Sequence, residues 1–148
     1  MKRNLLKAGM AAALMLAWAG GWVQGYHADA KGTVVYMSAG GADYKPMAES
    51  PKVSTAAIWG DNSKGAHATF SKFEPGYDAG MHTHTNDVWI VGIKGAYLYK
   101  DDDGEKRVGP GDFLRVPGGH KHWSGGDPKE GAIFYEESSG KFDLVPAK

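Results

Sequence analysis

The chain has 148 residues and no cysteine, and its 17 lysines and arginines balance its 17 acidic residues. This length suits one compact domain. The balanced charge creates no field that would attract nucleic acid or an anionic membrane surface, so neither partner is predicted. Without cysteine, disulfides and thiolate metal sites are excluded. The 22 glycines and 7 prolines are spread along the chain, as is typical of short strands joined by tight turns.

Residues 1–30 have the pattern of a secretory signal peptide. Lys2, Arg3 and Lys7 form a positively charged start, and residues 8–23 form a largely apolar stretch that is short for a bilayer span. Three groups of small residues with the spacing of a cleavage site accompany this stretch. We therefore expect a secreted or periplasmic protein with no membrane attachment after cleavage. An uncleaved N-terminal anchor is the alternative.

The rest of the chain, residues 31–148, is predicted to be one all-β domain. Its short runs of β-branched and aromatic residues are bounded by glycine, proline, aspartate or serine. No apolar pattern of helical period follows the leader. Roughly eight to ten short strands in such a length indicate a sandwich, jelly roll or small barrel. The predicted strands are residues 33–37, 53–59, 66–73, 81–85, 88–93, 96–100, 113–116, 121–124, 132–136 and 142–145.

The segment MHTHT at residues 81–85 contains two histidines separated by one residue. Side chains of a strand alternate between its two faces, so His82 and His84 point the same way. Two imidazoles on one face can bind one metal ion. A solvated strand edge that happens to contain histidine is the alternative at this point.

A second pair, His120 and His122, lies in the segment GDFLRVPGGHKHW, after a predicted strand and a Pro-Gly-Gly turn. Four of the six histidines therefore lie in two short segments. Scattered surface histidines would seldom group in this way, so a metal site becomes the favoured interpretation.

Together the two segments resemble the motifs of the cupin family, G-x5-H-x-H-x(3,4)-E-x6-G and G-x5-P-x-G-x2-H-x3-N. The resemblance covers about residues 70–126 and implies the cupin double-stranded β-helix, a jelly-roll barrel. The most similar group is one of small, secreted, single-domain bacterial cupins of uncharacterised function. Gly126 stands where the second motif has asparagine. The matching positions are Gly76, His82, His84 and Gly95 for the first motif, and Gly111, Pro117, Gly119 and His122 for the second.

This resemblance implies that His82, His84 and His122 are ligands of one divalent metal ion at the mouth of the barrel. A small barrel can bring two distant strand pairs together around an interior cavity. The glutamate of the first motif is missing, because its permitted positions hold Val88 and Trp89, neither of which coordinates a metal.

Two further residues are candidates for binding the metal or for holding its ligands. Asp87 lies one residue before the glutamate position, and one inserted residue before Gly95 could form a bulge that turns Asp87 inward. The site would then have three histidines and one carboxylate, and otherwise it is a three-histidine site with more open positions. His120 shares a face with His122 if the alternation holds after the Gly-Gly turn. Surface roles are the alternative for both residues.

Aromatic and polar residues near these motifs are candidates for a substrate pocket. The hydroxyls of Tyr97 and Tyr99, together with His67, are candidate acid–base or hydrogen-bonding groups. Aromatic residues in a small β-domain are, however, usually part of the core. The aromatic pocket candidates are Trp89, Tyr97, Phe113 and Trp123.

A nitrogen-rich site with open positions and no thiolate suits Fe(II), Mn(II), Ni(II), Cu(II) or Zn(II). The resemblance to three-histidine cupins favours Fe(II) and dioxygenase-type oxidoreductase chemistry on a small organic substrate. Zn(II) would instead favour a polarised carbonyl or an activated water. The alternative is a non-catalytic exported cupin that binds a sugar, an organic acid or the metal itself. The expected partner is this small molecule, and a homodimer is left open.

Overall fold

The computed structural model describes residues 34–148, so the predicted signal peptide lies outside the described residues. Within them, no helix is long and apolar enough to cross a membrane. The described part of the chain is all-β and contains eleven strands. In chain order these are β1 (Lys45–Met47), β2 (Ser50–Gly60), β3 (His67–Phe73), β4 (Asp78–Thr83), β5 (Val88–Gly95), β6 (Tyr97–Asp101), β7 (Gly104–Val108), β8 (Phe113–Val116), β9 (His122–Gly126), β10 (Ala132–Ser138) and β11 (Val145–Pro146).

The strands form two antiparallel sheets. The first sheet has the order β1-β2-β3-β10-β5-β8, and the second has the order β11-β4-β9-β6-β7. The chain changes sheet between β3 and β4, and again between β4 and β5, so sequence neighbours repeatedly lie in opposite sheets. This arrangement is the jelly-roll barrel predicted from the sequence.

The inner faces of the two sheets carry an apolar core and, beside it, a set of buried polar residues. Phe134 is completely buried in the core, where Phe73 packs edge-on against it with ring centroids 4.9 Å apart. Strand alternation accounts for both groups, because every second residue of β3, β5 and β10 points inward. The core residues are Val88, Ile90, Tyr97, Tyr99, Val108, Val116, Ala132 and Phe134. The buried polar residues are His67, Thr69, Ser71, His82, His122, Ser124 and Ser138.

β5 contains a bulge of the kind suggested by the sequence, but near the end of the strand. Its pairing with β10 shifts so that Ile93 is the extra residue. Gly95 follows with a φ of 63°, and a Cβ there would lie 2.2 Å from the carbonyl oxygen of Gly131, so only glycine fits. Because the bulge comes after Ile90, the alternation of residues 87–90 is undisturbed.

The observed strands overlap most of the predicted ones, and the exceptions have physical reasons. The strand predicted at residues 33–37 is wrong, because residues 34–37 form no strand and Val34, Val35 and Tyr36 are 71% to 92% exposed. The strand predicted at residues 142–145 is largely wrong, since β11 has only two residues. β1 and β7 were not predicted. The exposed charged residues of β7 give it no apolar alternation.

Candidate metal centre

The pairing of β4 with β9 sets His82 directly opposite His122, and their ring centroids are 4.3 Å apart. Both side chains are buried. His84 lies one residue beyond β4, with its ring centroid 4.9 Å from that of His82 and 5.4 Å from that of His122. One nitrogen atom from each ring lies within 4.8 Å of the other two. The structure therefore brings the three histidines selected from the sequence to one point.

Backbone carbonyls hold all three rings through Nδ1. A carbonyl oxygen only accepts hydrogen bonds, so each Nδ1 carries a proton and donates it. In a neutral imidazole the other nitrogen, Nε2, then has a free lone pair, which is what a metal ion needs. The carbonyls belong to Gly80 for His82 (2.9 Å), to Asp143 for His84 (2.5 Å) and to His120 for His122 (3.0 Å).

Nε2 of His122 is buried and has no hydrogen-bond partner in residues 34–148. A buried polar atom without a partner costs about 1–3 kcal/mol, and a bound metal ion would remove this cost. Burial, together with the smaller effect of the neighbouring imidazoles, lowers the pKa of His122 to about 4. Burial also lowers the pKa values of His82 and His84. The rings are therefore neutral near pH 7, which is the form that binds metals, so this donor set fits a divalent metal ion.

The C-terminal segment, here residues 142–143, contacts one side of this histidine group and holds the His84 ring in place. The backbone N–H and the hydroxyl of Thr85 donate to the carboxylate of Asp143, at 2.8 and 2.5 Å, while the Asp143 carbonyl holds the His84 ring. The ring of Phe142 packs 5.8 Å from that of His84. The role of this segment could not be predicted from the sequence, because Asp143 is 59 positions from His84 and no local pattern links them.

The histidine group borders a cavity of about 450 Å³ that is lined by residues of both sheets. His82 and His84 form part of its wall, so a metal bound there would be accessible to a small molecule. The polar residues of the lining include His67, Thr69, Ser71, Tyr77, Ser124 and Glu136. Its apolar residues include Val53, Phe73, Tyr97, Phe142 and Leu144.

Glu136 contributes a carboxylate to this cavity from β10. Glu136 is half-buried and lies opposite Thr69 of β3 and Ile90 of β5, both of which are buried. Burial raises the pKa of Glu136 to about 7. The sequence analysis missed this residue, although alternation from the inward-facing Phe134 would have placed Glu136 on the inner face of the strand.

Comparisons with known proteins agree with this fold. Residues 69–135 match the family model described as a cupin domain. These residues and the fold support the cupin superfamily. Comparison with curated proteins gives no match.

Solved structures of the same fold come from several bacteria. KdgF from a Halomonas species is 18% identical, with a TM-score of 0.59 over 75% of this chain and 97% of that chain. The polyketide cyclase RemF from Streptomyces resistomycificus is 15% identical, with a TM-score of 0.60 over 78% of this chain and 87% of that chain. A sugar phosphate isomerase of the cupin superfamily from Silicibacter pomeroyi is 17% identical, with a TM-score of 0.54 over 71% and 75% of the two chains. These identities show the shared fold alone.

The structure does not bring Asp87 to the histidine group. Its carboxylate accepts hydrogen bonds from the backbone N–H of Gly118 at 2.8 Å and from the Arg115 guanidinium at 2.6 Å. These two contacts hold the pKa of Asp87 below its usual value. The reason is alternation, because Val88 points inward and the bulge comes too late to turn Asp87. Buried Val88 thus occupies a position at which the cupin motif permits its glutamate.

The ring of His120 is also directed away from the group. Its Nε2 lies 3.0 Å from the carboxylate of Asp101, which also accepts a hydrogen bond from the hydroxyl of Tyr99 at 2.7 Å. The contribution of His120 to the site is its backbone carbonyl, which holds His122. The ring of Tyr99 stacks on that of His122 with centroids 5.3 Å apart.

The four aromatic pocket candidates divide between the cavity and the outer surface. Tyr97 lines the cavity. Trp123 follows an inward-facing residue of β9 and therefore points outward, where its Nε1 donates to Asp78 at 2.6 Å. Trp89 follows the inward-facing first residue of β5 and lies on the outer face for the same reason. Phe113 is 63% exposed. The structure thus gives a cavity position to Tyr97 and not to the other three.

Proposed function

We propose that this cupin is a metal-dependent enzyme that acts on a small organic molecule in the cavity beside its three histidines. The supporting observation is that one ring nitrogen from each of the three histidines lies within 4.8 Å of the other two beside a cavity, and that Nε2 of His122 is buried without a partner in the described chain. Three neutral ligands leave the charge of the metal uncompensated and leave coordination positions open for a substrate. A cavity of about 450 Å³ suits a small molecule.

For the metal we propose Fe(II), with Mn(II), Ni(II), Cu(II) and Zn(II) as alternatives. His82, His84 and His122 would hold it. Bound Fe(II) would supply oxygen activation, and the reaction would then be of the dioxygenase type. The three-nitrogen donor set without a carboxylate supports this proposal. Tyr97 and Phe142 would limit the space beside the metal and orient the substrate by apolar contact.

A second candidate is a reaction that moves a proton without a change of oxidation state. The observation that favours it is the Glu136 carboxyl in the same cavity, because a carboxyl with a pKa of about 7 exists in both protonation states at neutral pH. Two proteins of the same fold are a polyketide cyclase and a sugar phosphate isomerase. Those names describe those proteins, and a fold alone is a weak guide to reaction.

Metal analysis followed by two activity screens tests the proposal. We expect the purified protein to bind one equivalent of divalent metal, and a protein that binds none contradicts the proposal. Oxygen consumption by the Fe(II)-loaded protein with diketones, phenols or thiols supports the dioxygenase. Conversion of a substrate without oxygen supports the proton-transfer reaction. Saturable binding with no product in either screen supports the alternative, an exported binding protein for a small molecule or the metal.

We also propose that the protein acts in the periplasm or outside the cell, after removal of residues 1–30. The charged start and the apolar stretch of the sequence support this location. Its proposed partner is the small molecule of the cavity, with neither nucleic acid nor membrane bound.

A further inference from the structure

Glu136 lies in the cavity but is not one of the residues that hold the histidine group. Its oxygens are not part of the set of ligand atoms within 4.8 Å of one another. Burial accounts for the raised pKa of this carboxyl, and no hydrogen bond or charge of residues 34–148 contributes to the shift. Glu136 is half-buried, and a carboxylate that opens into a cavity and has a raised pKa is a candidate for contact with a ligand.

We propose that Glu136 is the proton-transfer residue of this cavity and acts on a neutral hydroxycarbonyl compound bound beside the three histidines. This inference rests on the proposed function as a metal-dependent enzyme and names the substrate class. The carboxylate takes a proton from the carbon next to the carbonyl. The C–H bond breaks, an O–H bond forms on Glu136, and the electron pair stays on the substrate as an enolate. Return of the proton to the former carbonyl carbon, while the hydroxyl proton moves to the former carbonyl oxygen, gives the isomer and restores the carboxylate.

The residues that line the cavity support a neutral hydroxycarbonyl compound as the substrate. The hydroxyls of Thr69 and Ser71 lie 3.0 Å apart on the cavity wall, and the hydroxyl of Ser124 lies on the same wall. Hydroxyls both donate and accept hydrogen bonds, so they suit the hydroxyl groups of a substrate. The acidic residues Glu49 and Asp78 lie at the exposed rim of the same cavity, where Asp78 also accepts the hydrogen bond from Trp123. Their negative charge disfavours phosphates and carboxylates and favours a neutral molecule.

The titratable groups around Glu136 leave its carboxyl free to exchange a proton. On β3, the Nδ1 of His67 is held by two backbone carbonyls, at 3.0 and 3.1 Å. On β6, burial raises the pKa of Tyr97 well above its usual value, so this phenol stays protonated. His82 and His84 are neutral because burial lowers their pKa values. In the metal-free chain the neutral rings of His82 and His84 therefore add no positive charge beside Glu136, and burial raises its pKa to about 7.

The test measures deuterium incorporation into dihydroxyacetone in D2O by NMR, using the full chain loaded with Zn(II). The variants are Glu136→Gln and, as the matched control, Glu137→Gln. Glu137 is the next residue of β10, points to the opposite face and accepts a hydrogen bond from the Tyr135 hydroxyl at 2.7 Å. We expect the wild type and Glu137→Gln to catalyse exchange about 100-fold faster than Glu136→Gln, a typical loss for a general base. Equal exchange in the wild type and Glu136→Gln at full zinc loading overturns the role of Glu136.

Two further measurements separate this inference from the proposed function. Zinc content should be one equivalent in all three proteins, and a wild type without zinc contradicts the metal site itself. In the zinc-free chain, carboxyl NMR should show a glutamate that titrates near neutral pH and is missing from Glu136→Gln. Its absence from the wild-type spectrum contradicts the role of Glu136 without involving the metal.

A comparison of two substrates tests the substrate class. Dihydroxyacetone phosphate should exchange more slowly than dihydroxyacetone, and the reverse order overturns the assignment to neutral substrates.

Discussion

His82 and His122 are direct cross-strand neighbours, and their ring centroids are 4.3 Å apart. The grouping of the histidines therefore depends on the register of β4 against β9. A slip of one residue would turn one ring to the outer face of the sheet. His84 joins the pair through the C-terminal segment, because the carbonyl of Asp143 holds its Nδ1.

The first prediction concerns the third histidine. His122→Ala should lose the metal, because its Nε2 is the buried lone pair that has no partner within the described chain. His120→Ala is the matched control and should keep one equivalent, since its ring contacts Asp101 and its carbonyl is retained. Metal content of the folded proteins, measured after desalting, distinguishes the two. Stoichiometric metal in His122→Ala would show that the donor set is wrong.

The histidines could be selected from the sequence because their signal is local. The i, i+2 spacing fixes a common face for His82 and His84, whereas His122 was selected through the resemblance to the second cupin motif. The same alternation explains the outward positions of Trp89 and Trp123. The shared face of His82 and His84 needed only the period of a strand, and the same period could have excluded Trp89 and Trp123, which were predicted as pocket residues.

Other parts of the site depend on contacts between distant segments, which a single sequence does not reveal. The position of the bulge at Ile93 is set by the pairing of β5 with β10, and this position decides that Asp87 stays outside the histidine group. The role of Asp143 depends on the C-terminal segment reaching His84. Glu136 had a local signal in the alternation of β10, but its cavity exists only once both sheets have assembled.

Asp87 gives the second prediction. Asp87→Asn should keep stoichiometric metal, because the carboxylate contacts Arg115 and Gly118 and not the histidine rings. It should lower the melting temperature at neutral pH, since the charged hydrogen bonds to the turn before β9 are weakened. Calorimetry and metal analysis on the same sample test both statements. An empty site with an unchanged melting temperature would contradict this structural role and return Asp87 to the list of ligands.

The third prediction tests the C-terminal segment. Asp143→Ala removes both hydrogen bonds from Thr85 and should loosen the carbonyl that holds His84. We expect metal affinity to fall on the order of 10-fold, as for other residues that orient a ligand. Competition with a chelator measures this change. Asp61→Ala provides the control, because Asp61 lies in an exposed turn paired with Lys64. Equal affinities in the two variants would remove Asp143 from the site.

The fourth prediction concerns the leader. Protein isolated from the cell envelope should begin between Gly20 and Lys31, because the apolar stretch ends among small residues of cleavage spacing. Intact-mass analysis of the protein in the soluble envelope fraction identifies its first residue. A mass that includes Met1, or recovery of the protein with the membranes, would favour the uncleaved anchor.

The last prediction is that Glu136→Gln stabilises the metal-free protein above neutral pH. Burial raises the folded pKa of Glu136 to about 7 from 4.5, so the folded chain binds more protons than the unfolded chain between these values. Stability should therefore fall as pH rises from 4.5 through 7. At 1.36 kcal/mol for each pKa unit, the wild type loses up to about 3 kcal/mol by pH 8 through this group alone. Glutamine carries no charge, so urea unfolding at pH 8 should show the variant to be more stable by up to this amount. The difference in the free energy of unfolding between Glu136→Gln and the wild type should shrink as the pH falls towards 4.5. A difference that stays constant with pH would mean that the Glu136 carboxylate is solvated or paired in the folded protein.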